Sequence, residues 1–326
     1  MRALRCHRLD GPEALALERI ELPAPAPGEV RVRVAAAALN FPDLLITRGE
    51  YQVKPPLPFT PGMELAGIVD AVGADVQRIR PGDRVGAVTT WGAFAEAACV
   101  EQSRVAPLHP SIDFAHGAAL GLAYQTVWHG YRERARIAPG DKVLVLGAGG
   151  GIGLAAVQLA RAAGAEVIAA ASSADKLAVC RAQGAQHGVD YACENLVDAV
   201  RAIAGREGVD IVVDPVGGDV GESAQRCLGW RGRYLVIGFA RGAPPRLAAN
   251  RMLLAEQSVL GVYVGEAFRR DPGARAERAA EIAAFVLAGA FSPVVSQVHA
   301  FEDYRAAFAA LGSGRLVGKV VLGMVS

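Results

Sequence analysis

The sequence carries no excess of either charge: 34 Lys and Arg stand against 33 Asp and Glu, a formal net charge of +1 over 326 residues. That removes any general electrostatic reason to bind nucleic acid or an anionic membrane surface. Paired cysteines are missing as well. The five cysteines, at positions 6, 99, 180, 193 and 227, are odd in number and never in Cys-x-x-Cys spacing. This argues against a disulfide framework or a cysteine-held structural metal, and free thiols in a reducing cytoplasm are the expectation. No apolar run reaches bilayer length, because Gly, Arg or Glu interrupts each Ala-rich stretch. The opening "MRALRCHRLDGPEALAL" lacks the apolar segment of a signal peptide. The six histidines, at 7, 109, 116, 129, 187 and 299, are scattered without metal-ligand spacing. Arginines at 132–136 and 269–270 have acids among or beside them and read as solvated faces.

What is present suits a packed enzyme. Hydrophobic residues make up 52% and charged residues 21%, and the length predicts two domains. Residues 1–110 hold short alternating runs such as "EVRVRVAAAAL" and "ELAGIVDAVG", broken by Pro and Gly, which predict mostly antiparallel β structure. "AHGAALGLAYQTVWHGYRERARI" has helical periodicity. From Lys142 onward, apolar strands ("KVLVLGA", "EVIAAA", "GVDIVVDPVGG", "GRYLVIGFA", "SVLGVYVG") alternate with helices such as "GLAAVQLARAAG" and "ADKLAVCRAQG". That pattern predicts a parallel sheet covered on both faces. The tail offers a helix over 274–290, a run "PVVSQVHAF", a helix "EDYRAAFAALGSG" and a last strand "GKVVLGM". The expected fold is therefore α/β, with a mostly-β domain over 1–120 and 265–326 and a doubly wound parallel-sheet domain over 121–264.

The strongest chemical signal is "VLVLGAGGGIGLAAVQLA", residues 143–160. A strand running into a glycine turn and then a helix is the context a dinucleotide fingerprint requires. Read from Gly147 the strict pattern fails at Ile152; read from Ala148 it gives A-x-G-x-x-G, with Gly150 and Gly153 in the later slots. Gly150 would let the backbone approach a pyrophosphate, and Gly153 would let helix and strand pack closely. Gly151, Ile152 and Gly153 would aim backbone N–H groups at the phosphates. The bland alternative is a glycine turn without a ligand. The next strand ends in alanines, "EVIAAASSADK", with no acid to receive the ribose hydroxyls of NAD. Ser172, Ser173 and Lys176 could instead bind a 2′-phosphate, so NADPH is the expected cofactor. Asp175 is read as the cap of the following helix.

These residues resemble the medium-chain dehydrogenase/reductase superfamily, and within it the zinc-free, zeta-crystallin-like quinone oxidoreductases. The resemblance covers nearly the whole chain. It is carried by "LNFPDLLITRGEYQVKPPLPFTPGMELAGIV", "GDRV", "YQTVWHG", "PGDKVLVLGAGGGIGLAAVQLA", "VDPVGG" and "GKVVL". It implies a GroES-like first domain and a Rossmann second domain. It places Asn40 and Asp43 near nicotinamide and substrate, Tyr51 at the nicotinamide end or on the substrate, and Thr126 beside the nicotinamide. Tyr191 would join Lys176 at the 2′-phosphate. Gly238 and Phe239, with Val262, Tyr263 and Val264, would line the nicotinamide pocket, and Lys319 would lie near the cleft. Each has a structural alternative: Asn40 as a turn residue, Asp43 as a helix N-cap, Tyr51 as a packed aromatic. Leu44, Leu45 and Ile46 fill a stretch where some relatives carry a second tyrosine.

Zinc relatives place a histidine before the glutamate of "FTPGMELAGIV", and here that position is Met63. The early cysteine and the four-cysteine lobe are also absent, so no metal is expected. Met63 reads as packing, and Glu64 as one half of a structural ion pair or hydrogen bond. Quinones and enones are electron-poor enough to take a hydride without a Lewis acid. Tyr51 and Asn40 would donate hydrogen bonds to the oxygen that gains charge, with Tyr51 or water as proton source. The reading is an NADPH-dependent quinone or enone reductase. The alternatives are an enoyl-thioester reductase and a non-enzymatic NADPH-binding structural or RNA-binding protein, although no nucleic-acid partner is expected. A homodimer through the last sheet strand, 258–265, is expected because its apolar edge would be bare.

Overall fold

The computed structural model describes residues 1–324. The chain divides into two compact units: residues 1–122, 275–279 and 293 onward form the first, and residues 123–274 and 280–292 the second.

The first unit is built on a seven-stranded mixed sheet. Its order is Val295–Ala300, Lys319–Gly323, Glu29–Ala38, Glu64–Val72, Arg84–Val88, Val105–Pro107, and Ala97–Glu101 also pairs with Glu29–Ala38. Only the first two strands of that order run parallel. The long alternating strand Glu29–Ala38 buries Val30, Val32 and Val34 in one apolar core with Leu4, Phe94, Phe301 and Phe308. The C-terminal strand docks beside it, with Val321 opposite Ala38, and Glu64 faces Ala38 from the other side. Leu39 N donates to Val320 O at 2.9 Å. Three chain segments far apart in sequence therefore converge where the strand gives way to the helix Phe41–Thr47. A two-stranded ribbon, Arg2–Arg5 with Ala16–Arg19, adds to this unit and carried no clear signal in the sequence.

The second unit holds six parallel strands in the order His187–Asp190, Glu166–Ala171, Lys142–Leu146, Val209–Asp214, Leu228–Val236, Ser258–Gly261. In chain order this is 3-2-1-4-5-6, the doubly wound dinucleotide arrangement with its switch point between the first and fourth strands. Val143, Leu144, Val145 and Leu146 are all fully buried, as covering by helices on both faces demands.

Several elements depart from expectation. "SVLGVYVG" is not one strand over 258–265: the strand ends at Gly261, and Tyr263 leads into the helix Val264–Arg270. Its residues are largely exposed rather than buried, because it is an edge strand paired on one side only. The helical stretch after Asp113 breaks into Phe114–Ala119 and Leu122–His129, followed by a wide turn over Gly130–Ala135. Gly121 sits at the break because a Cβ there would meet Val88 Cγ2 at 2.6 Å and Glu64 Oε2 at 3.0 Å. Among the described residues no helix is long and apolar enough to cross a membrane.

Candidate functional site

In the first unit the polar residues gather where the strand Glu29–Ala38 ends. Asn40 caps the helix Phe41–Thr47, and its backbone N–H donates to Asp43 Oδ2 at 2.8 Å. Asp43 is thus the third helical residue, not the N-cap. Lys319 Nζ donates to Asn40 Oδ1 and to Glu64 Oε1, both at 2.6 Å. Asn40 Nδ2 donates to Glu64 Oε1 at 2.8 Å and to Ala38 O at 3.3 Å. Glu64 Oε2 accepts the Leu122 N–H at 2.7 Å, which the helix break at Gly121 leaves unpaired within the helix. All four side chains are buried. Glu64 is therefore held in an ion pair, as its sequence context suggested.

Two carboxyls and one ammonium share this enclosure. Glu64 takes the direct ion pair with Lys319. Asp43 accepts the Asn40 N–H on Oδ2, and the Gly62 N–H lies near its carboxyl, although Oδ1 has no hydrogen bond of standard geometry. Burial pushes the Asp43 carboxyl up to about 7, the Asn40 amide and Lys319 pulling the other way. Asn40 does not fit its expected donor role, because both amide hydrogens are engaged within the protein. Tyr51 is half-buried against the apolar core. Met63 is packed in that core, and Gly62 before it has φ of 100° with Phe94 only 2.7 Å from where a Cβ would stand.

In the second unit the glycine turn follows the first sheet strand. Gly150 precedes the helix Gly151–Ala162, placing Gly151, Ile152 and Gly153 in its first turn, where amides lack intrahelical partners. A Cβ on Gly153 would stand 2.3 Å from Gly147 O and 2.5 Å from Ala148 Cα, so close helix–strand packing dictates that glycine. A Cβ on Gly150 would meet only Gly147 O, at 3.5 Å, so the space beside it is open to a ligand. Across the switch point, Asp214 holds the opposing loop. Its Oδ1 accepts from Val216 N and Gly217 N at 2.8 Å each, and its Oδ2 from Tyr234 Oη at 2.6 Å. Sequence reading passed over Asp214, although "VDPVGG" contained it.

At the far end of the turn, the Lys176 stem lies 2.9 Å from where a Gly149 Cβ would be. Lys176 Nζ donates to Ser172 Oγ at 3.3 Å, and partial burial depresses its ammonium. The Tyr191 hydroxyl is raised by burial, and the charge of Arg241 and a hydrogen bond with Ser172 oppose that. The Arg241 guanidinium lies 5.8 Å from the Tyr191 ring centroid and pairs with Asp219 Oδ1 at 2.6 Å. Ser173 accepts Lys176 N at 3.4 Å and caps the helix Ala174–Ala182, so Asp175 is not the cap. Ser172, Lys176, Tyr191 and Arg241 offer donors around one place, beside a strand that ends in alanines, and could hold a dinucleotide's 2′-phosphate. Arg241 went unread because an arginine in a Gly/Pro loop has no distinctive spacing.

The remaining expected positions also lie in this unit. Thr126 is buried in Leu122–His129. Gly238 and Phe239 follow the fifth strand, and Gly238 N donates to Asp214 O at 3.3 Å. Val262 and Val264 are buried, with Val262 Cγ2 3.4 Å from where a Gly130 Cβ would be, while Tyr263 is exposed.

Comparison with known proteins agrees with this architecture. Residues 26–110 match the alcohol dehydrogenase GroES-like domain, and residues 151–281 the zinc-binding dehydrogenase family. A zinc ion does not fit the residues present. Among the described residues no three His, Cys, Asp or Glu side chains are grouped to share a cation. The chain is 37% identical over 287 residues to rat quinone oxidoreductase-like protein 2, covering 88% of this chain and 82% of that one. It is 31% identical to human quinone oxidoreductase over 326 residues, 99% of this chain and 97% of that one. The crystal structure of Escherichia coli quinone oxidoreductase complexed with NADPH superposes with a TM-score of 0.93 at 29% identity, covering 99% of this chain and all (100%) of that one. With both domain families matched in order and these relatives covered over 82–100% of their length, the chain belongs to the medium-chain dehydrogenase/reductase superfamily, among its quinone oxidoreductase-like members.

Proposed function

We propose that this oxidoreductase uses NADPH to reduce a quinone or an α,β-unsaturated carbonyl without a metal, in the cytoplasm. The observation that carries the cofactor choice is the cluster of Ser172, Lys176, Tyr191 and Arg241 beside a strand whose last residues are alanines. A carboxylate at that strand end would repel a 2′-phosphate, and the cluster attracts one. Gly150, Gly151, Ile152 and Gly153 hold the pyrophosphate, and Thr126, Gly238, Phe239, Val262, Tyr263 and Val264 hold the nicotinamide. When bound, the reduced nicotinamide supplies the hydride. Five free cysteines are consistent with a reducing compartment.

The chain's own residues then orient the acceptor and manage charge. An electron-poor acceptor spreads the charge it gains, so hydrogen-bond donors suffice to stabilise it. Tyr51 is the donor to the acceptor oxygen and, with water, the proton source. Lys319 uses two of its three N–H groups on Asn40 and Glu64, which fixes the polar cluster at the end of the strand Glu29–Ala38. Asn40 and Asp43 position Lys319 and the start of the helix Phe41–Thr47. The test is NADPH oxidation by purified protein against quinones, enones and enoyl thioesters, before and after exhaustive chelation. Quinone- or enone-dependent turnover that prefers NADPH to NADH and survives chelation is expected. No acceptor-dependent oxidation across the panel overturns the reading, and turnover confined to enoyl thioesters redirects it.

A further inference from the structure

A concave patch of about 340 Å³ lies in the second unit, lined by Arg201, Arg206, Arg226 and Arg251 together with Asn250 and Gln257. No acidic side chain lines it. None of the four arginines makes a side-chain hydrogen bond or ion pair with a described residue, unlike Arg231, Arg233 and Arg241 nearby in sequence. On a chain of net charge +1 this is a local concentration of unneutralised positive charge.

Local helix energetics account for only half of it. Arg201 is in the last turn of Leu196–Ala204 and Arg226 caps the end of Gly218–Gln225, and a helix C-terminus favours a cation. Arg251 is in the first turn of Ala249–Ala255, where the helix dipole disfavours one. Arg206 belongs to a loop. That loop is pulled against the next strand by glycine: a Cβ on Gly208 would stand 2.5 Å from Cys227 O. Gln257 donates to Leu228 O at 3.3 Å, while its buried Oε1 has no hydrogen-bond partner.

The patch borders the starts of the strands Val209–Asp214, Leu228–Val236 and Ser258–Gly261. The glycine turn follows the end of Lys142–Leu146. Because the sheet is parallel, the patch and the turn lie at opposite ends of it.

We propose that this patch is a second anion site, which takes a small phosphorylated molecule. The arginines hold the phosphate through charge-assisted, fork-shaped hydrogen bonds. The cavity is of a size for a sugar phosphate rather than a polymer.

Isothermal titration with ribose 5-phosphate tests this on three proteins: the unaltered chain, Arg226→Ala/Arg251→Ala and Lys176→Ala. The altered arginines are exposed, so matching thermal melting without ligand confirms folding. Saturable binding is expected in the unaltered chain and in Lys176→Ala, and affinity weaker by at least about tenfold in the double variant. Absence of binding at millimolar ligand overturns the proposal. So does equal binding by the double variant, or loss of binding in Lys176→Ala, which would place the ligand at the adenosine end of the glycine turn. None of these outcomes depends on how the dinucleotide reading fares.

Discussion

Asp43 is where residue-level chemistry is most sharply defined. Glu64 takes the direct ion pair with Lys319 and the Leu122 N–H, while burial, with the Glu64 charge beside it, raises the Asp43 carboxyl. The folded value near 7 lies above the ordinary 3.8. Asp43 therefore favours the fold fully below about pH 4, and that contribution is lost as pH rises toward 7. Asp43→Asn mimics the protonated acid and lacks this titration. The variant should gain on the unaltered protein by about 1.4 kcal/mol per pH unit between about pH 4 and 7, then level off. Urea melts across that range check it, and a flat difference refutes it. At the other unit's polar cluster, Lys176→Ala should raise the NADPH KM about tenfold with kcat little changed and the NADH KM unmoved. An equal effect on both cofactors would remove Lys176 from the 2′-phosphate. Asn40, Asp43, Lys176 and Lys319 stood out in the sequence because short motifs carried them, and the structure brings Asn40, Asp43 and Lys319 into one buried cluster. The partner of Glu64 was not legible, since Lys319 lies 255 positions away and only sheet register joins them.

Among the elements, the glycine turn separates packing from binding. Gly153 faces backbone atoms that cannot yield, at 2.3 and 2.5 Å from where a methyl would stand, whereas Gly150 has φ of −85° and one ordinary contact. Gly153→Ala should therefore lower unfolding free energy by about 1–3 kcal/mol, and Gly150→Ala should keep stability while weakening dinucleotide binding. Denaturant melts and a binding titration on both variants decide it; equal stability loss would mean the two glycines do the same work. The strand–turn–helix was readable because apolar period and glycine spacing coincide there. Breaks were harder to read. Gly121 interrupts a helical pattern for the sake of Glu64, a reason that exists only in three dimensions. "SVLGVYVG" reads as a buried strand because apolar content alone does not distinguish a covered strand from an edge.

Across the whole molecule, the alternation of strands and helices made the sheet architecture readable, but the state of its edge depends on what lies beyond the chain. Among the described residues Ser258–Gly261 pairs with no strand but Leu228–Val236, so its other side is a sheet edge, on which Gly261 O accepts from Arg134 Nε at 3.2 Å. The apolar exposure around it is concentrated rather than scattered: Leu253 is 78% exposed, Leu254 76% and Val259 40%. The helix Ala249–Ala255 buries none of its residues, so intramolecular packing does not explain its two leucines. A second copy of the same strand, laid antiparallel across a two-fold axis, would pair the two edges and cover Leu253 and Val259 of each copy in one isologous contact. We therefore expect a homodimer at micromolar concentration. Val259→Lys places a charge on the edge without touching either polar cluster, and together with Leu253→Lys it should shift sedimentation from dimer to monomer while leaving far-ultraviolet circular dichroism unchanged. A monomer before substitution, or a dimer that survives both lysines, would mean that this edge is not the contact.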